Sequence, residues 1–248
     1  GMYASGSSAK AINRGTIDLQ GAKGQIGLYG TTTSGVAGRD SVLINDTTGK
    51  IKVGDSTLAN NTEVPNIGIF TESNNQVVNN GTINVGENSY GIYAKNIKES
   101  GTSKLTVSKN GVGIFAVGEA GTPGNVTLDS GAKITVNSST SGKEGVAVFT
   151  GGSNPVNVVD NGSIMDLKDS SFGYVLKAPG SFVNTNTSNI KLANDTVYAY
   201  TDSNTNIVNN AQIVSAGDRN YGIYGNGTAK NYGTIDFSSG NGNVGMYA

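Results

Sequence analysis

The sequence contains no histidine, no cysteine and no tryptophan in 248 residues, and its 17 basic and 18 acidic side chains nearly cancel. Without imidazole or thiol there is no histidine general base, no thiolate nucleophile and no imidazole or thiolate metal site. Arginine is confined to Arg14, Arg39 and Arg219. A net charge of −1 with 14% charged residues lacks the clustered Lys and Arg that neutralise phosphates, so nucleic acid is excluded as a partner. The lack of cysteine fits a reducing cytosol and a secreted protein equally. No apolar run reaches the length of about 18 residues that a membrane helix needs, and no signal peptide opens the chain. The sequence therefore reads as neither a membrane span nor a complete secretory precursor.

What is present is glycine, 37 residues of it, against a hydrophobic content of only 35%. Such a chain is either disordered or built on a thin core with many tight turns. Disorder goes with few β-branched and aromatic residues and high net charge. Here Val, Ile and Tyr recur at regular places, which favours the thin core.

The recurrence is a repeat. Tyr90-Gly91-Ile92-Tyr93-Ala94 returns as Tyr221-Gly222-Ile223-Tyr224-Gly225 and as Val244-Gly245-Met246-Tyr247-Ala248. With the glycine as marker, the column reads Gly1, Gly27, Gly68, Gly91, Gly113, Ala147, Gly173, Thr196, Gly222 and Gly245. Most spacings are 22 to 26 residues, with longer ones of 41 and 34. Two residues after each marker stand Tyr3, Tyr29, Phe70, Tyr93, Phe115, Phe149, Val175, Tyr198, Tyr224 and Tyr247, aromatic in nine of ten. With 17 aromatic residues in the chain, chance does not place them so.

A second column lies upstream, as in Asn80-Gly81-Thr82-Ile83 and Tyr232-Gly233-Thr234-Ile235. Its apolar member is Ile17, Ile51, Ile83, Leu105, Ile134, Ile164, Ile190, Ile213 and Ile235. A third segment precedes it, as in Val77-Val78-Asn79 and Phe182-Val183-Asn184. Each unit thus holds three short period-2 segments separated by Gly, Asn, Ser and Thr, which predicts three strands and three turns and no helix.

A three-strand repeat of this length is one coil of a parallel β-helix, in which a strand pairs with its copy in the next coil. The expectation is all-β: a single right-handed parallel β-helix of about nine coils over residues 1–248, about 43 Å long at a strand spacing of ~4.8 Å. An antiparallel sandwich would not require one repeat length to recur in phase. The long spacings place surface loops near 31–41, 54–65, 118–124 and 137–144. Asn13, Asn45, Asn79, Asn184, Asn209 and Asn231, with Asp160 substituting, share one corner, where stacked amides can bond from coil to coil and tolerate left-handed backbone.

The alternation of Asn-x-Gly-Thr-Ile with Gly-Ile-Tyr-Ala along the whole chain resembles the repeats of passenger regions in large Gram-negative type V autotransporter adhesins, particularly those of the fusobacterial type. The resemblance implies a non-catalytic β-helix displayed at the cell surface of a Gram-negative bacterium, at the outer membrane or secreted. It further implies export through an outer-membrane barrel, attachment to a host or bacterial surface protein or glycan, and continuation into further coils. It transfers no catalytic residue, metal or cofactor. Gly1-Met2-Tyr3-Ala4 and Gly245-Met246-Tyr247-Ala248 stand in the same phase, as in a segment of a longer rod.

Strict alternation puts Tyr90, Ile92 and Ala94 on the core face of the marker strand and leaves the glycine and the aromatic outside. The aromatic column then forms an outer ladder, and Tyr29, Phe70, Tyr93, Phe115, Phe149, Tyr198, Tyr224 and Tyr247 are the candidate binding strip. A stalk that carries some other domain is the second reading. A polysaccharide lyase or hydrolase is the third, because a β-helix can carry paired carboxylates. The densest acidic group is Asp160, Asp166 and Asp169 with Lys168, and each replaces Asn, Thr or Lys of another coil, which favours solvated turns over a metal or catalytic site.

Overall fold

Short apolar segments between Gly and Asn turns cannot bury themselves alone; each coil is closed by the coils above and below it. The computed structural model describes residues 1–6, 9–21, 23–31, 41–56, 65–72, 74–202 and 204–247. Among these residues there are 28 strands and no helix, so none that could cross a membrane. They form three sheets of ten, nine and nine strands. The chain visits the sheets in rotation: Met2–Ser5, Lys10–Asn13 and Thr16–Asp18 make one coil, and Tyr90–Ala94, Asn96–Glu99 and Lys104–Val107 make another. Every strand pairs in parallel with its copy one coil away, Tyr93 with Phe70 and Phe115, Ile97 with Val77 and Val126, Leu105 with Ile83 and Ile134. The protein is a parallel β-helix.

Its core is a stack of aliphatic rungs, including Leu28, Ile69, Ile92 and Ile114 from the first sheet and Ile51, Ile83, Leu105 and Ile134 from the third. In the third sheet the apolar column runs through Met165, which pairs with Ile134 and Ile190. Ile164, expected in that column, lies one residue away and is exposed. Adjacent apolar residues make the two phases look alike in the sequence, and only pairing separates them.

The marker strand departs from strict alternation. In Tyr90–Ala94 both Gly91 and Ile92 are buried, while Tyr90 and Tyr93 are partly exposed. A Cβ on Gly91 would lie 2.5 Å from the Gly113 carbonyl oxygen, 2.9 Å from Val85 Cγ2 and 3.3 Å from Leu105 Cδ1, so the glycine faces the core and not the outer surface. Two consecutive inward residues bend the strand. Omitting one side chain lets the backbone approach closely. The residue before the marker, expected inside, therefore turns outward: Tyr90, Val112, Val146, Phe172 and Tyr221 are all partly exposed.

The amide column is buried up to Asn209, as its chemistry requires, and only Asn231 at its end is exposed. Asn13 Nδ2 donates to Asn45 Oδ1 at 2.8 Å, Asn45 Nδ2 to Asn79 Oδ1 at 2.8 Å, and Asn79 Nδ2 to Glu99 Oε2 at 2.8 Å. Beyond Leu128, which occupies the same column, Asn184 donates to Asn209, and Asn209 to Asn231 at 2.7 Å. Left-handed backbone at residues other than glycine belongs to a different corner, the entry to the first sheet, where Asn88, Asn110, Ser170, Asp195 and Arg219 have φ of 52 to 55°.

Of the expected loops, 118–124 is a tight turn closed by Glu119 and Thr122, and 137–144 is a largely exposed excursion. The parts of the other two at 32–40 and 57–64 lie outside the described residues. The 118–124 turn is held from beneath by the buried Lys95, whose Nζ donates to Glu119 Oε2 at 3.3 Å and to Thr122 Oγ1.

Candidate functional site

Parallel pairing in register stacks like on like, so one aromatic per coil becomes a continuous row. Successive centroid distances are 5.4 Å for Tyr3 and Tyr29, 5.6 Å for Tyr29 and Phe70, and 5.4 Å for Phe70 and Tyr93. They are 4.6 Å for Tyr93 and Phe115 and 4.9 Å for Phe115 and Phe149. The row resumes with Tyr200 and Tyr224 at 5.7 Å and Tyr224 and Tyr247 at 5.2 Å. These separations are those of favourable ring pairs. From Tyr29 to Tyr224 the rings are partly exposed, and Tyr3 and Tyr247 at the two ends are open to solvent.

Tyr198 does not belong to this strip. It pairs with the glycine marker, since the strand Val197–Thr201 aligns Val197 with Phe172 and Tyr200 with Val175. Tyr198 is fully buried, and Tyr200 is the outward ring that the sequence pattern missed by two residues. A second Tyr two positions on made both phases fit the column. The marker is then Tyr198 rather than Thr196. The other seven rings of the proposed strip share the outer face.

The inward ring joins Tyr174 and Phe182 in a buried aromatic cluster, with centroids 5.4 Å from Tyr174 to Tyr198 and 4.2 Å from Tyr174 to Phe182. A buried phenol needs a partner. Tyr174 donates to Asp160 Oδ2 at 3.1 Å, and Tyr198 accepts from Asn184 Nδ2 at 2.9 Å. Burial, with the Asp160 charge adding to it, holds both phenols well above their ordinary pKa. Asp160 also accepts from Gly162 N, Ser163 N and Ser163 Oγ.

The acidic group around Asp160 comes apart in three dimensions. Asp160 is inside, Asp166 pairs on the surface with Lys168 at 2.7 Å, and Asp169 Oδ1 accepts from Asn194 N and Nδ2 at 2.9 Å. Each carboxylate serves a local turn or coil contact. Among the described residues no cluster of three or more acidic side chains is placed to hold a metal ion.

One buried acid escaped the sequence reading. Glu99 stands in the amide column between Asn79 and Leu128, fully enclosed. Its Oε2 accepts from Asn79, whereas Oε1 has no hydrogen bond of good geometry, although the Ser103 hydroxyl lies close enough to favour the anion weakly. Burial dominates and raises its pKa to about 7. The alignment of Lys98-Glu99-Ser100 with Val78-Asn79-Asn80 was the signal that could have located it.

Burial raises the phenol of Tyr29 on the strip and that of Tyr90 beside it, the former also through its hydrogen bond to Glu72 Oε1 at 3.2 Å. The ladder has no ring at Val175, which sits between Phe149 and Tyr200 in the same column. A cavity of about 540 Å³ opens there, with Phe149, Phe172, Val175, Tyr200, Tyr221 and Tyr224 among its lining. Comparison with family models, curated proteins and solved structures finds no match to the chain.

Proposed function

We propose that this chain is a non-catalytic segment of a surface-exposed adhesin, which attaches to a protein or glycan on host cells or on other bacteria. The observation that carries the reading is the half-exposed row of rings along one sheet of a parallel β-helix. A contiguous apolar strip of several hundred Å² is seldom left on a surface without a binding role. The resemblance to type V autotransporter passengers supports the same assignment and brings with it display at the outer membrane of a Gram-negative bacterium and export through a barrel. An enzyme of the lyase or hydrolase kind finds less support, because Asp160, Asp166 and Asp169 are each engaged separately. A bare stalk is the competing role, favoured by the mutual packing of the rings, which itself stiffens the rod.

Attachment separates the two. Beads carrying the purified segment should adhere to host or bacterial cells, and Tyr93→Ala combined with Tyr224→Ala should weaken adherence severalfold while leaving the β-rich circular dichroism unchanged. Adherence indifferent to both changes, or absent from the start, favours the stalk. Polysaccharide turnover lost in Asp166→Asn would establish an enzyme instead.

A further inference from the structure

Three acceptors converge on one enclosed amine at the turn between the first and second sheets. Lys95 is the only buried lysine among the described residues. An ammonium is costly to enclose unless partners surround it, and here they come from both neighbouring coils at the same corner. From the preceding coil, Asn74 Oδ1 accepts from Nζ at 2.5 Å; from the following coil, Glu119 Oε2 accepts at 3.3 Å and Thr122 Oγ1 accepts the third N–H. A carboxamide oxygen at 2.5 Å puts its own carbon, one C=O bond of about 1.23 Å beyond, within ~3.7 Å of the amine. An amine beside an acyl carbon and in contact with a carboxylate holds the parts of an acyl transfer: nucleophile, electrophile and acid–base group.

We propose that Lys95 and Asn74 are joined by an intramolecular isopeptide bond, which the chain forms on itself with Glu119 as the acid–base group. Glu119 takes a proton from the ammonium, and the freed Nζ lone pair attacks Asn74 Cγ, close to the approach of about 3–3.5 Å that positioned reactants need. Both nitrogens are then bonded to one carbon, so the carboxyl group beside Nζ reaches Nδ2 as well. Glu119 protonates Nδ2 and takes a second proton from Nζ. The oxyanion then reforms the carbonyl as the Cγ–Nδ2 bond breaks, its electron pair leaving on ammonia, which removes the proton still on Glu119. One ammonium and one carboxamide become one secondary amide and one ammonium ion, with no oxidant or reductant. An ionised carboxylate repels a lone pair, so Asn74 and not Glu119 is the acyl donor. Asn74 is exposed, which gives ammonia a way out. The chain has no cysteine, and this bond acts as a disulfide would: it ties consecutive coils through residues 21 apart and restricts the unfolded chain. The inference does not depend on what the rod binds.

The intact mass of the denatured protein tests the bond. Wild type should weigh about 17 Da less than its sequence, the mass of one ammonia. Trypsin does not cut after an acylated lysine, so residues 53–98 should appear as one light peptide in which no backbone break between Asn74 and Lys95 releases a fragment. Lys95→Met and Asn74→Ala should each show their full sequence mass. Glu119→Gln keeps a side chain of the same shape without the base; it too should show its full mass, retain the β-rich circular dichroism and melt at a lower temperature than wild type. Wild type at its full sequence mass overturns the proposal. So does a loss of about 17 Da that leaves Lys95 open to trypsin, as a succinimide at Asn80-Gly81 would, or a bond from Lys95 to any residue other than Asn74. A Glu119→Gln variant linked as fully as wild type overturns the role of Glu119.

Discussion

Two stretches of the same rod solve the same packing problem in opposite ways. Around Tyr90–Ala94 and Val112–Val117 the coil keeps its ring outside and its core aliphatic, with Gly and Ile facing inward together. Around Ser171–Leu176 and Val197–Thr201 aromatic rings go in: Tyr174 takes the place of Ile, Tyr198 takes the place of Gly, and Val175 is left on the outer column. Tyr174 stands one residue before the outer column and so lies inside, and Tyr198 stands two residues before the outward Tyr200 because this strand turns two consecutive residues inward. The neighbours adapt in volume and polarity. Ala199 follows Tyr198 where other coils have Ile, and Asp160 and Asn184 serve the two phenols. Near Glu99 the polar column has no such completion, and one carboxyl oxygen is left without a good partner. The difference teaches that the rod tolerates large internal changes where the hydrogen-bonding account is closed.

The largest expected effect tests the inward rings. Tyr198→Ala should cost about 3–5 kcal/mol in chemical denaturation, since it empties a core site and removes one of the acceptors of the buried Asn184 amide. Tyr93→Ala, which removes a ring from the half-exposed row, should cost only about 1 kcal/mol. Equal losses would erase the distinction between the two regions.

Glu99 sharpens the polar side of the comparison. Its folded pKa of about 7 stands above the ordinary carboxyl value of 4.5, so between these limits the folded state holds a proton that the unfolded chain has released. The resulting stabilisation is present at low pH and is lost as pH rises through about 7. The full difference, about 2.5 pKa units, corresponds to about 3 kcal/mol. Glu99→Gln should therefore raise the denaturation midpoint at pH 8 relative to wild type and leave it near wild type at pH 4.5. A variant no more stable than wild type at pH 8 would mean that the ionised carboxylate is well accommodated.

A smaller effect is expected at the marker. Gly91→Val should lower stability by about 1–3 kcal/mol, because its side chain would press on the Gly113 carbonyl and on Val85. Ala147 and Tyr198 occupy the same column, so the cost arises from the local fit of the strand and not from a ban on side chains there. An unchanged denaturation midpoint with an unchanged slope would show that the coil adapts at Gly91 as well.

The recurrence of Gly-x-aromatic and Asn-x-Gly-Thr-Ile by itself determined the coil, its three strands, the parallel pairing and the stacking of most rings. Those follow from period alone, because residues one repeat apart must meet when each coil pairs with the next. Tertiary structure decided what period cannot carry. Pairing register alone chose Met165 over Ile164 and Tyr200 over Tyr198, where two adjacent or alternate residues suit the same column. The bend at the marker reversed the facing of Gly91 and Tyr90, since strict alternation holds only for a regular strand. The enclosure of Glu99 and the vacancy at Val175 depend on which neighbours close around a position, and that is a property of the assembled stack.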